Sequence, residues 1–218
     1  MNNVLVAVPY RTDTPRVFLD GTCARFARMT YPRREIALFP NDPAPCGQRY
    51  GGHARARNRL IEACLCEAHT HVLWMDVDLV KAPPNLIEAL LAISEWDVVA
   101  PFVFVEMLDA KQSPSFNNGG WFYDTGGFLR GDEHAADYGN PFKGYKGGVI
   151  ELDSVGCCYL IPADLYRRGI RYAPDGDEVE HVGLMRQVKQ VGRRVLATDH
   201  LQVTHAYLPK YGVKWGQR

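Results

Sequence analysis

The segment His71-Val72-Leu73-Trp74-Met75-Asp76-Val77-Asp78-Leu79-Val80 constrains this chain more than any other. It is an apolar run that finishes in two carboxylates spaced i, i+2. In an extended segment such residues share a face, so Asp76 and Asp78 are expected to point together from the end of a buried strand. Two acids in that place need a counter-charge. Mg²⁺ and Mn²⁺ supply one, since they prefer oxygen ligands and take one or two carboxylates together with the phosphates of a substrate. An ordinary Asp-rich turn has the same letters, so the meaning of the pair depends on its surroundings.

Those surroundings alternate between strands and helices. Val4 to Val8 is a continuous apolar run closed by Pro9, the pattern of a central strand buried on both faces. Arg16 to Met29 reads as a helix, Glu35 to Phe39 as a strand that stops at the turn cluster Pro40-Asn41-Asp42-Pro43, and Ala54 to Ala68 as a helix leading into the acid-bearing strand. The alternation predicts an α/β fold: a mainly parallel, Rossmann-like sheet flanked by helices. Pro83-Pro84 should open a helix through Ser94, followed by a strand over Trp96–Ala100. From Val103 to Gly148 the rhythm breaks into a long irregular segment rich in Gly, Asn and aromatic residues, which marks a lid or binding loop. Regularity returns as a strand over Leu152–Ile161, a short helix from Pro162 to Gly169, a helix from Val179 to Val191 and a last strand over Arg194–Ala197.

A length of 218 residues suits one domain, expected to span 1–218. Lys+Arg and Asp+Glu both number 25, so no global field advertises a nucleic-acid or membrane partner. The first residues lack a basic stretch and reach Pro9 too soon for a signal peptide, and no run is long enough to span a bilayer. The six cysteines form no C-x-x-C pair and sit mostly in apolar segments. That usage points to a reducing, cytoplasmic compartment rather than to disulfides or zinc.

Four strings, in order, resemble the GT-A glycosyltransferases, especially the large family 2 group. They are Val4–Pro9, Arg57-Asn58 before Asp76-Val77-Asp78, Val155-Gly156-Cys157-Cys158-Tyr159-Leu160-Ile161-Pro162, and Glu180-His181 opening a helix that runs to Gly192, with Val203-Thr204-His205 at the end. The resemblance covers most of the chain, from Val4 to His205. It implies a metal-dependent enzyme that moves a sugar from a nucleoside diphosphate sugar to an acceptor hydroxyl, with inversion. About 1–100 would be the donor half and about 101–218 the acceptor and catalytic half.

The resemblance also implies roles. Asp78 would ligate Mn²⁺ or Mg²⁺, Asp76 would sit near the ribose and the metal's water shell, and His205 would complete the metal shell. Pro9, Tyr10, Arg11, Asp13 and Asp42 would hold the nucleoside at the carboxyl ends of the first two strands, joined by Arg57, Asn58 and Val77. Glu180 matches the first acid of the family's catalytic pair; the second position is His181 here, so the base is Glu180, His181 or the neighbouring Asp177. Asp177, Glu178 and Glu180 also simply favour the positive end of a helix. Trp121, Phe122, Tyr123, Tyr138, Phe142 and Tyr145 could stack on sugars or bases, or pack their own loop down.

Three other readings remain open. A nucleotidyltransferase would carry a Gly-rich loop after its first strand, and Val8-Pro9-Tyr10-Arg11-Thr12-Asp13 has no glycine. A retaining glycosyltransferase of the mannan-polymerase type also has an apolar strand ending in two acids. A carbohydrate- or nucleotide-binding module would bind donor without turnover. The acceptor may be taken from glycans, proteins, metabolites or, as a minority option supported by Arg33, Arg34, Arg49, His53, Arg55 and Arg59, a modified base in DNA.

Overall fold

A computed structural model describes residues 2–40, 49–105, 121–122, 127–135, 142–173 and 179–206. Its elements are β1 (Val4–Tyr10), α1 (Arg16–Arg28), β2 (Arg34–Pro40), α2 (Arg49–Cys64), β3 (His71–Met75), β4 (Leu79–Lys81), α3 (Leu86–Ile93), β5 (Val98–Val105), β6 (Trp121–Phe122), β7 (Leu129–Arg130), β8 (Glu133–His134), β9 (Val149–Glu151), β10 (Cys158–Pro162), α4 (Ala163–Arg167), α5 (Glu180–Gln190) and β11 (Val195–His205).

One mixed sheet carries the core in the order β2-β1-β3-β10-β5-β11-β4, with β6 beside β5 and β9 beside β11. The parallel sheet expected from the βαβ rhythm is present in two blocks, β2-β1-β3 and β5-β11. Between them β10 runs antiparallel to both β3 and β5. Val4–Val8 and Val72–Trp74 have no exposed surface, as continuous apolar runs in the middle of a sheet require.

Several boundaries differ from the sequence reading for identifiable reasons. The helix expected at Pro83-Pro84 begins at Leu86, after a turn in which the Leu86 N–H donates to the Pro83 carbonyl (3.1 Å). The strand expected over Leu152–Ile161 is confined to Cys158–Pro162: Cys157 has φ +55°, which turns the chain just before pairing starts. The last strand extends far beyond Ala197, to His205. It pairs with β5 on both sides of a register shift between Thr198 and Gln202, opposite Pro101, which has no N–H to donate to a ladder. A short apolar run thus becomes a long bulged strand that carries its histidine to the sheet's working end.

Candidate metal and donor site

β3 ends at Met75, so Asp76 and Asp78 do not finish a strand; they lie in a turn closed by the Leu79 N–H donating to the Asp76 carbonyl (3.2 Å). The expectation of a shared strand face was therefore wrong in mechanism, and the acids converge through the turn. The Asp76 N–H donates to the Cys157 carbonyl (3.0 Å), so the left-handed residue before β10 seats the first acid.

His205, the last residue of β11 rather than one beyond the final strand, completes the cluster. Ligand atoms of Asp76, Asp78 and His205 all lie within 4.8 Å of one another. The Ala206 N–H donates to the Asp78 carbonyl (2.8 Å), which staples the end of β11 to the acidic turn. His205 Nδ1 donates to the Ala206 carbonyl (2.9 Å), so Nε2, which faces Asp78 Oδ1 at 2.9 Å, donates to that carboxylate only when the imidazole carries both protons, and offers a lone pair when it is neutral. Burial works against a charged His205, but the Asp78 carboxylate and its hydrogen bond outweigh it and raise the imidazole above its ordinary value. Two carboxylates and an imidazole nitrogen, oriented from behind by a carbonyl, form a donor set that suits Mn²⁺ and accepts Mg²⁺.

Arg57 joins this cluster to Glu180 at the start of α5. It projects from the buried face of α2, in step with Ala54 and Ile61, and is 4% exposed. Nη2 donates to Asp76 Oδ1 (2.9 Å), while Nε faces Glu180 Oε1 at 3.6 Å. The guanidinium lies 5.0 Å from the Trp74 ring centre and 5.7 Å from that of Tyr172. Nε and Nη1 nevertheless have no hydrogen-bond partner among the described residues.

Glu180 opens α5 and is buried, with His181 Nε2 3.5 Å from it. Burial pushes its carboxyl up, but His181, Arg57 and His53 together hold it below the usual glutamate range. His181 lies edge-on to Tyr159, and its Nδ1 has no hydrogen-bond partner among the described residues. The sequence reading placed His53 only on a basic surface. Here loss of water around its ring lowers its pKa, Glu180 opposes that shift and Arg57 adds to it. The residue is nonetheless exposed on α2, one helical turn before Arg57.

The other donor-side residues divide. Pro9 and Tyr10 end β1, and Arg11 pairs with Asp13 at 2.8 Å in the turn that follows, at the same edge of the sheet as the end of β3. Asn58 does not face that crevice: its amide donates to the Tyr172 carbonyl (2.9 Å) and accepts from the Tyr172 N–H (3.1 Å), so it pins that loop. The Val77 carbonyl accepts from Thr22 Oγ1 (2.9 Å). Phe142 is 1% exposed under Arg130, and Tyr145 donates to the Gly148 carbonyl (2.7 Å), so both pack their own segment. Trp121 and Phe122 form β6, whereas Asp42, Tyr123, Tyr138, Asp177 and Glu178 lie outside the described residues.

The Anp1 family model matches residues 47–136, the stretch holding Arg57 and both acids. A Candida albicans vanadate resistance protein is 27% identical over 71% of this chain, which spans 40% of that relative's length. Among solved structures, a Drosophila beta-1,4-galactosyltransferase 7 mutant with manganese, UDP-Gal and xylobiose superposes with a TM-score of 0.56 at 13% identity, covering 100% of this chain and 76% of that one. GalNAc-T7 with UDP, GalNAc and Mn²⁺ gives 0.55 at 14% identity, covering 95% and 44%. S. aureus TarS gives 0.54 at 12%, covering 94% and 60%. The chain has the GT-A glycosyltransferase fold.

Proposed function

We propose that this protein transfers a sugar from a nucleoside diphosphate sugar, UDP-linked as in the solved neighbours, to an acceptor hydroxyl with the help of Mn²⁺ or Mg²⁺. The convergence of Asp76, Asp78 and His205 carries the reading, supported by two solved neighbours of the same fold that hold manganese together with UDP-Gal or UDP. The bound cation would neutralise charge growing on the departing phosphate. Pro9, Tyr10, Arg11, Asp13 and Asp42 would hold the nucleoside at the carboxyl ends of β1 and β2, where open α/β sheets bind ligands. Arg57 holds Asp76 in place on one side and Glu180 on the other. Its two unpartnered nitrogens are suited to an oxygen of the donor diphosphate.

In the inverting form of the proposal, Glu180, or else His181 or Asp177, takes the proton from the acceptor hydroxyl. Residues of about 1–100 would bind the donor, and the remainder the acceptor: a glycan, a protein, a metabolite or a modified base. A reducing compartment agrees with the five described cysteines, all free, and no helix of the described residues is long and apolar enough to cross a membrane.

A retaining transfer of the mannan-polymerase type is the second reading, favoured by the Anp1 match and by Glu180 itself. A buried carboxylate held below its ordinary pKa by Arg57 and His181 is a poor proton acceptor and a good permanent negative charge. Screening nucleoside diphosphate sugars by thermal shift with and without Mn²⁺ tests the shared premise: stabilisation must require both a specific nucleotide and the metal. The anomeric configuration of the product, read by NMR, then separates inversion from retention.

A further inference from the structure

A second cleft, of about 190 Å³, opens behind the acidic turn, lined by Arg25, Arg28, Val80, Lys81, Ala82 and Pro84. Three of its six lining residues are cationic and none is acidic. Arg25 and Arg28 come from the last turn of α1, and Lys81 closes β4. Surface cations are normally scattered and hydrated, but Arg25 is only 7% exposed and its Nε has no hydrogen-bond partner among the described residues. Burial, and then repulsion from Arg28, hold its guanidinium below the ordinary arginine value, against the pull of the Asp78 carboxylate. Asp78 offsets only part of that cost, so a further anion among the three cations of the cleft is favourable.

We propose that this cleft binds a small tetrahedral oxyanion of the phosphate class, separately from the donor site. Its volume lies below the roughly 300 Å³ at which pockets for drug-sized ligands begin, so an inorganic phosphate or the head of a phosphomonoester fits and a nucleotide sugar does not. The site is mechanically joined to the metal turn. Arg25 Nη2 donates to Thr22 Oγ1 (2.5 Å) and lies 3.4 Å from the Val77 carbonyl, the peptide between the two acids, to which Thr22 also donates. An anion drawing on Arg25 therefore pulls on the partners of Val77. The inference does not depend on the sugar-transfer reading.

The test is a phosphate titration in EDTA at constant ionic strength, followed by thermal shift and by calorimetry. Asp78→Asn serves as background to disable the metal turn, and the double variant Arg28→Ala/Lys81→Ala, both on exposed side chains, disables the cleft. Phosphate should raise the melting temperature of the parent and of Asp78→Asn alike, while equivalent chloride should not, and the double variant should lose most of the shift and at least tenfold in affinity. Glycerol phosphate should reproduce the effect if the natural ligand is a phosphomonoester; a response to inorganic phosphate alone assigns the free ion. An unchanged shift in the double variant, equal stabilisation by chloride, or binding only to anionic vesicles would overturn the proposal.

Discussion

The two ends of β3 bury polar side chains in opposite ways. At its entrance His71 Nδ1 meets Thr70 Oγ1 and Nε2 meets the Glu95 carbonyl, each at 2.9 Å, and His69 Nδ1 accepts from the Cys66 N–H. Those rings tie loops to the sheet and leave no nitrogen idle. At its exit Arg57, Asp76, Glu180 and His181 face chiefly one another, and three buried nitrogens find no hydrogen-bond partner among the described residues. Buried groups satisfied by local backbone and hydroxyls are architecture, whereas charged groups paired only with each other, with donors to spare, are a site awaiting a ligand.

Removing the exit-end acid should have the largest functional effect. Asp78→Asn is expected to lower kcat/KM by about 10²- to 10³-fold and to abolish the Mn²⁺-dependent thermal shift, with an unchanged circular dichroism spectrum. Retention of the shift would show that the exit end is architecture too.

Arg57→Met leaves the largely buried carboxylates of Asp76 and Glu180 facing each other without their shared cation. It should cost about 3 kcal/mol in urea denaturation, the lower end for breaking a buried pair because Asp76 is partly open to water. At the entrance, His71→Leu forfeits two hydrogen bonds and strands the Glu95 carbonyl, costing about 1–2 kcal/mol. Metal affinity measured by calorimetry should not change in that variant, and a tenfold loss would erase the distinction between the ends.

The two histidines sharpen the contrast through pH, measured as stability in EDTA. Burial lowers the His71 pKa below its ordinary 6.5, so its contribution is fully present above 6.5 and is lost as pH falls through the depressed native value. His205 behaves in reverse: although burial opposes the charge, Asp78 raises its pKa, so its contribution is full below 6.5 and is lost as pH rises through the raised native value. His71→Leu should flatten the acid-side slope and Asp78→Asn the other. The exposed Arg11–Asp13 pair gives the smallest effect, with Asp13→Ala changing stability by about 0–1 kcal/mol.

The sequence revealed most where a residue's environment is set by its immediate neighbours. β1 and β3 are legible because central strands buried on both faces must be apolar throughout, and the acid pair stands out because it interrupts one. Arg57 stood out beside the acid pair, and the structure does pair it with Asp76, but its link to Glu180 was not legible, since that pairing depends on α2 meeting α5 across the fold. Asn58 misled for the same reason: its partner, Tyr172, is more than a hundred residues away. The true start of β10 and the length of β11 were hidden because a left-handed cysteine and a bulge opposite Pro101 are answers to tertiary pairing, with no local spelling.

The staple between Ala206 and Asp78 joins positions separated by over half of the sequence. It closes the whole intervening chain into a ring whose clasp is the metal turn itself. A chain that stops before Ala206 lacks this clasp, so loading of the cation should also report whether the end of β11 is in place.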